Sequence, residues 1–197
     1  MTSYTISNLP MGDAVPEAVI GTYLWEENGY TPRASARLTL VGDTLILRMR
    51  AEESNPLIRY HRGDISPQVW CDSCMEFFFS ANDQPGYVNL EMNADGCYIC
   101  NFGEGRQGRR ACDIFAEDGQ PAATVGKGFW QVEASLSLQK IAMLFGAEAV
   151  TSLRGNFYKC GDETTFPHFG MWAKVDVPTP DFHRPAYFCP LLLPNEQ

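Results

Sequence analysis

Short apolar runs, each closed by Gly, Pro, Asn or Asp, recur along nearly the whole chain, and no other pattern constrains its fold as strongly. Residues 36–41 (ARLTLV) and 44–51 (TLILRMRA) flank a Gly42–Asp43 turn, a hairpin signal. Residues 75–80 (MEFFFS) and 87–93 (YVNLEMN) follow, and Asp95–Gly96 then turns into 97–102 (CYICNF). Residues 129–138 alternate apolar and polar; 153–160, 169–177 and 188–193 complete the strand set. Only 139–145 (QKIAMLF) reads as a helix, and a short one. Many short strands with one short helix predict an all-β fold: a two-sheet antiparallel β-sandwich with jelly-roll or immunoglobulin-like connections. No repeat or linker divides the chain, so 1–197 reads as one domain.

Bulk properties narrow the function. The 197 residues are 45% hydrophobic, enough to bury a real core. A formal net charge of -9 argues against nucleic acid as a partner. Arg106, Arg109 and Arg110 form a local basic cluster in a Gly-rich stretch, read as a solvated loop. No apolar run is long enough to span a bilayer, so no membrane association is expected. No charged n-region followed by an apolar stretch opens the chain, and the Cys count of seven is odd. Free thiols in a reducing cytoplasm are the expectation.

Period-2 alternation assigns faces. Tyr87, Asn89, Glu91 and Asn93 point one way, and Val88, Leu90 and Met92 the other. In the preceding strand Met75, Phe77 and Phe79 oppose Cys74, Glu76 and Phe78. If these strands pair, Glu76 shares a face with Asn89 or Glu91, giving polar groups among aromatics. The segment Arg154–Pro185 adds further aromatic, cationic and imidazole groups in a stretch rich in Pro and Gly. Sugar rings offer C–H faces to aromatics, and their hydroxyls need hydrogen-bonding side chains. Trp70, at a loop–strand junction, and Trp172 are candidate stacking platforms, whereas Trp130 reads as core. Arg154 and His183 are candidate hydroxyl partners; equally, Arg154, Asp162 and Asp181 could form a structural ion-pair network.

Other chemistries leave weaker marks. Cys71-x-x-Cys74 and Cys97-x-x-Cys100 have zinc-site spacing, but residues three apart in a strand face opposite sides. Cys160 with His168 or His183 can be drawn as a nucleophile–base pair, with no nucleophile elbow to support it. Glu76 with Glu91 or Asp72 could form the carboxylate pair of a glycosidase.

Four motifs occur in order: Trp70-Cys-Asp72-Ser-Cys-Met-Glu76-Phe-Phe-Phe, Asn89-Leu-Glu-Met-Asn93-Ala-Asp-Gly96, Arg154-Gly-Asn156-Phe-Tyr158-Lys159 and Asp181-Phe182-His183-Arg-Pro185. Together they resemble the carbohydrate-binding module family 9-like proteins, a branch of the DOMON-like sandwiches, over roughly residues 20–193. The resemblance implies a non-catalytic domain that binds a saccharide between two aromatics. By motif these fall at Trp70 and Phe182, with Glu76 and either Tyr158 or Lys159 on the hydroxyls. It also implies structural calcium, although the sequence has no dense Asp/Asn ligand loop. Other DOMON-like sandwiches hold haem through Met with His or Lys, and Met75, Met92, Lys159 and His183 supply those residue types without a diagnostic spacing.

Overall fold

The computed structural model describes residues 2–194. Its strands are β1 (Tyr4–Thr5), β2 (Ala18–Ile20), β3 (Ala34–Val41), β4 (Thr44–Ala51), β5 (Cys74–Ala81), β6 (Tyr87–Asn93) and β7 (Tyr98–Gly103). The remainder are β8 (Arg110–Ala111), β9 (Ala122–Gly126), β10 (Phe129–Ser137), β11 (Leu153–Cys160), β12 (Phe169–Met171) and β13 (Cys189–Leu192). One helix, α1 (Leu138–Leu144), begins where the Ser137 hydroxyl accepts from the Lys140 amide. No described helix is long and apolar enough to cross a membrane.

These strands form two sheets. The larger runs β1-β13-β11-β5-β6-β7-β8, with β12 also on the edge of β11, and the smaller runs β2-β3-β4-β10-β9. Pairing is antiparallel throughout except between β1 and β13, which are parallel. The predicted sandwich is therefore present with one parallel pair added. Gly42, with φ of 59°, makes the tight β3–β4 turn that the sequence signalled. The strand expected over 169–177 stops at Met171, and the chain beyond it becomes a covering loop. Four short strands, β1, β2, β8 and β9, carried too little pattern to be found in sequence.

Between the sheets lies the main core. Phe77 stacks on Phe79 and Phe157 at 4.8 and 5.0 Å, and these meet Leu47, Met49, Trp130 and Val132 of the smaller sheet. Each such side chain contributes about 1.5–3 kcal/mol through burial. Gly155 of β11 stands opposite Phe79 of β5. A Cβ there would lie 2.6 Å from the Phe78 carbonyl oxygen and 3.2 Å from the Phe77 ring. Both are held in the packed interior, so Gly155→Ala is expected to cost about 1–3 kcal/mol, read as a lowered midpoint of thermal unfolding.

The outer face of the larger sheet is also covered. Residues 161–188 fold back over it and bury a second apolar cluster that includes Phe78, Tyr87, Tyr158, Cys160, Met171 and Phe182. That is why β5 and β6 are buried along almost their whole length on both faces. The cover is incomplete, and the gap it leaves is the site.

Candidate functional site

Strand register builds the floor of this gap. Glu76 of β5 lies directly opposite Glu91 of β6, and Phe78 opposite Asn89. On the far side of β6, Asn89 faces Asn101 of β7. On the far side of β5, Glu76 faces Tyr158 and Cys74 faces Cys160. The predicted parity thus puts Glu76, Asn89 and Glu91 on one outer face. A cavity of about 380 Å³ opens above them. Trp70, from the single 3-10 turn before β5, and Phe169, Phe182 and His183 supply its walls, with Arg106, Arg109 and Asp181 from the loops.

Electrostatics in the cavity follow from burial. Glu76 and Glu91 are both nearly inaccessible to solvent. Burial, reinforced by the neighbouring Glu91, pushes the Glu76 carboxyl well above the ordinary range. Cys160 donates to its Oε1 at 2.8 Å. Burial raises Glu91 to about 7, against the opposing hydrogen bond from Asn89 Nδ2 at 2.7 Å. His183 falls to about 4 through burial and the nearby Arg109 and Arg106, and its Nδ1 meets the Tyr87 hydroxyl at 2.8 Å.

A raised carboxyl has a signed consequence for stability. The unfolded chain ionises Glu91 near its ordinary value of 4.5, while the folded chain keeps it protonated until about pH 7. Its contribution is therefore complete below about pH 4.5 and is lost as pH rises through 7. Urea melts of wild type and Glu91→Gln should converge in acid and diverge with increasing pH, the variant becoming relatively more stable. Parallel pH profiles across that window would disprove this.

Arg109 is not a solvated loop residue. Its side chain turns inward and its Nε donates to Asn89 Oδ1 at 2.7 Å. Its two terminal nitrogens bond the carbonyls of Tyr87, Gly103, Gly105 and Asn101. The guanidinium lies 4.0 Å over the Tyr87 ring. Arg109 therefore orients Asn89, which in turn orients Glu91. Arg106 and Arg110 remain exposed. Asp162 and Phe169 also border the cavity. The sequence offered Asp162 only as a member of an ion-pair network and Phe169 only as the start of a strand.

The remaining sequence candidates lie elsewhere. Tyr158 is fully buried beneath Phe182, rings 4.0 Å apart and nearly parallel, so it supports the wall without facing the cavity. That stacking occupies one face of Phe182. Lys159 follows Tyr158 in the strand and so points to the opposite side, between the sheets. Its Nζ pairs there with Glu53 at 3.2 Å and meets His168 Nε2 at 2.6 Å. Trp172 packs on Phe157 and Tyr4 at the sandwich core. Arg154 donates to the Phe188 carbonyl at 2.8 Å. The proposed Arg154–Asp162–Asp181 network does not form, because Asp181 pairs with Arg184 at 2.8 Å and Arg106 at 3.8 Å.

The alternative chemistries are affected too. Asp72 is buried and occupied by the amides of Arg59 and Tyr60, the Arg59 side chain and Asn93, so it is no partner for Glu76 in a carboxylate pair. Met75, Met92 and Lys159 face the inter-sheet core while His183 faces the outer cavity, so they cannot hold one haem. Cys160 bonds Glu76 while His168 is engaged by Lys159 and the His183 Nδ1 by the Tyr87 hydroxyl, so neither nucleophile–base pair is formed by a hydrogen bond. Among the described residues, one group of three or more His, Cys, Asp or Glu has donor atoms close enough to share a metal: Cys74, Glu76 and Cys160. Two sulfur donors do not suit calcium, which takes six to eight oxygens.

A β-sandwich whose larger sheet carries a half-covered, aromatic-walled cavity with buried polar groups at its floor is the architecture of a ligand-binding module. The chain belongs to carbohydrate-binding family 9, whose model matches residues 5–193. Among solved structures it is similar to a protein of Bacteroides uniformis proposed to bind carbohydrate. Identity is 23% and the TM-score 0.81, with 98% of this chain and 99% of that one covered. It is also similar to a family 9 module of Caldicellulosiruptor kristjanssonii in complex with glucose, at 12% identity and TM-score 0.68, covering 100% of this chain and 97% of that one. A family 9 module of that organism in complex with cellotriose matches at 10% identity and TM-score 0.66, with 100% and 95% coverage. At these identities the likeness is one of fold. No curated protein sequence matches the chain significantly.

Proposed function

We propose that this chain is a non-catalytic carbohydrate-binding domain that holds a small saccharide in the cavity above Glu76 and Glu91. The observation that carries the reading is the pairing of aromatic walls with a buried polar floor in about 380 Å³. That volume lies within the ~300–1,000 Å³ of small-ligand sites. The ring packs against Trp70 and the part of Phe182 that borders the cavity, with Phe169 beside it. Glu76, Glu91 and Asn89 bond the hydroxyls, the carboxyls able to donate as well as accept when protonated. Family membership and the sugar complexes of the Caldicellulosiruptor modules support this reading.

The test is a fluorescence and thermal-shift titration with glucose and cello-oligosaccharides. Binding in the range of about 1 μM to 1 mM is expected, weakened roughly tenfold in Trp70→Ala by loss of stacking. An unchanged affinity in Trp70→Ala would remove Trp70 from the site.

A second reading is favoured by one feature, the direct opposition of Glu76 and Glu91 across β5 and β6. Glycoside cleavage uses one protonated carboxyl as acid and one ionised carboxylate as nucleophile or base; burial keeps Glu76 protonated, and Glu91, raised to about 7, ionises above that pH. Turnover of an aryl glycoside that disappears in Glu76→Gln would establish it; no turnover at any pH between 4 and 8 would dismiss it.

A further inference from the structure

The cysteines that sequence spacing paired do not come together, but a different pair does. Cys74 and Glu76 are two apart in β5 and share its outer face. Cys160 of β11 stands directly opposite Cys74 in the ladder. The two Sγ atoms and one Glu76 carboxylate oxygen all lie within 4.8 Å of one another. All three residues are buried, and both cysteines are free thiols.

From this geometry we infer that Cys74, Glu76 and Cys160 form a three-ligand site for a thiophilic divalent cation, zinc being the best fit. Zinc binds thiolate at ~2.3 Å and carboxylate at ~2.0–2.2 Å, so the ligand atoms of a tetrahedral site stand roughly 3.5–4 Å apart. The present cluster needs only small side-chain adjustments to reach that spacing. Its donors also choose the metal. Two sulfurs select a soft ion over calcium or magnesium. Two thiolates and a carboxylate would bring three negative charges into one buried spot. The adjacent amine of Lys159 is on the other face of the strand, committed to Glu53 and His168. A divalent cation would balance those charges as the three groups ionise on binding.

The fourth position is defined by the surroundings. Glu76 and Cys160 border the cavity, and Cys74 is not among its lining residues. The open coordination position therefore faces the cavity, as in sites that keep one place for water or a ligand oxygen. Binding displaces the two thiol protons and the Glu76 carboxyl proton to solvent as the two metal–sulfur bonds and the metal–oxygen bond form. This inference does not depend on the saccharide reading, since its evidence is the three donors alone.

The test uses the full-length reduced protein and metal alone. Titration with Co²⁺ should give one equivalent of a thiolate-to-cobalt charge-transfer band together with the strong visible absorption of four-coordinate cobalt, both erased by Zn²⁺. Cys74→Ala and Cys160→Ser should each abolish the band, while Cys71→Ala, outside the cluster, should retain it. X-ray absorption on zinc-loaded wild-type protein needs no variant and should show two sulfur neighbours with oxygen completing the shell. No stoichiometric charge-transfer band, a band that survives in both Cys74→Ala and Cys160→Ser, or a zinc shell without sulfur would overturn the site. Saccharide titration of metal-free wild type reads the other proposal separately. A cobalt signal without any sugar response would sink only the carbohydrate reading.

Discussion

Glu53→Gln is expected to destabilise the protein by about 3–5 kcal/mol, the range for removing one partner of a buried ion pair. Lys159 has no solvent exposure and Glu53 only 6%, and their charged atoms are 3.2 Å apart. Burial alone would push the Glu53 carboxyl upward. Lys159 and the donors Trp130 Nε1 at 2.7 Å and Ser73 Oγ at 2.9 Å overcome this and hold it below its ordinary value. Without that carboxylate, the ammonium is left with neutral neighbours, among them the Cys160 carbonyl and an imidazole. The pair itself is not expected to be worth so much. Glu53→Gln combined with Lys159→Met, which removes both charges, should recover most of the loss. Urea denaturation of both variants decides it. A single-variant loss under about 1 kcal/mol, or a double variant no better than the single one, would mean that water reaches the pair.

Arg109→Ala is expected to abolish saccharide binding and lower stability by about 3 kcal/mol. The guanidinium satisfies Asn89 Oδ1 and four backbone carbonyls. Each buried acceptor left unpaired costs about 1–3 kcal/mol, and water would reach some of them. Asn89, released, no longer fixes the Glu91 carboxyl at the cavity floor. Arg109→Lys should rescue little of either property, because an ammonium cannot span acceptors spread around a planar fork. Calorimetric titration and thermal unfolding separate the two effects. Wild-type affinity in Arg109→Ala would place the saccharide elsewhere.

The consequences of these two residues were unequally legible. Alternation in MEFFFS and YVNLEMN put Asn89 and Glu91 on one face, and Glu76 beside one of them if the two strands pair, because a strand's side-chain period is fixed; the register that seats Glu76 opposite Glu91 came from the structure. The same rule separates Tyr158 from Lys159: neighbours in a strand cannot share a face. Applied to RGNFYKC with Phe157 inward, it would have sent Lys159 into the core. Arg109 was not legible. Its neighbours Gly103, Gly105 and Gly108 read as a solvated loop, and nothing local records that the side chain folds back onto β6.

By itself, then, the sequence determined the longer strands, the two-sheet class, the family and the polar row on one face, since these follow from short-range periodicity and ordered motifs. Tertiary structure alone decided which face was sealed and which left open. That depends on where residues 161–188 cross the sheet, a long-range packing outcome driven by burying Phe78, Tyr158 and Phe182. It also decided that Cys74 meets Cys160. The register between β5 and β11 brings together residues 86 positions apart, and no local pattern encodes that distance.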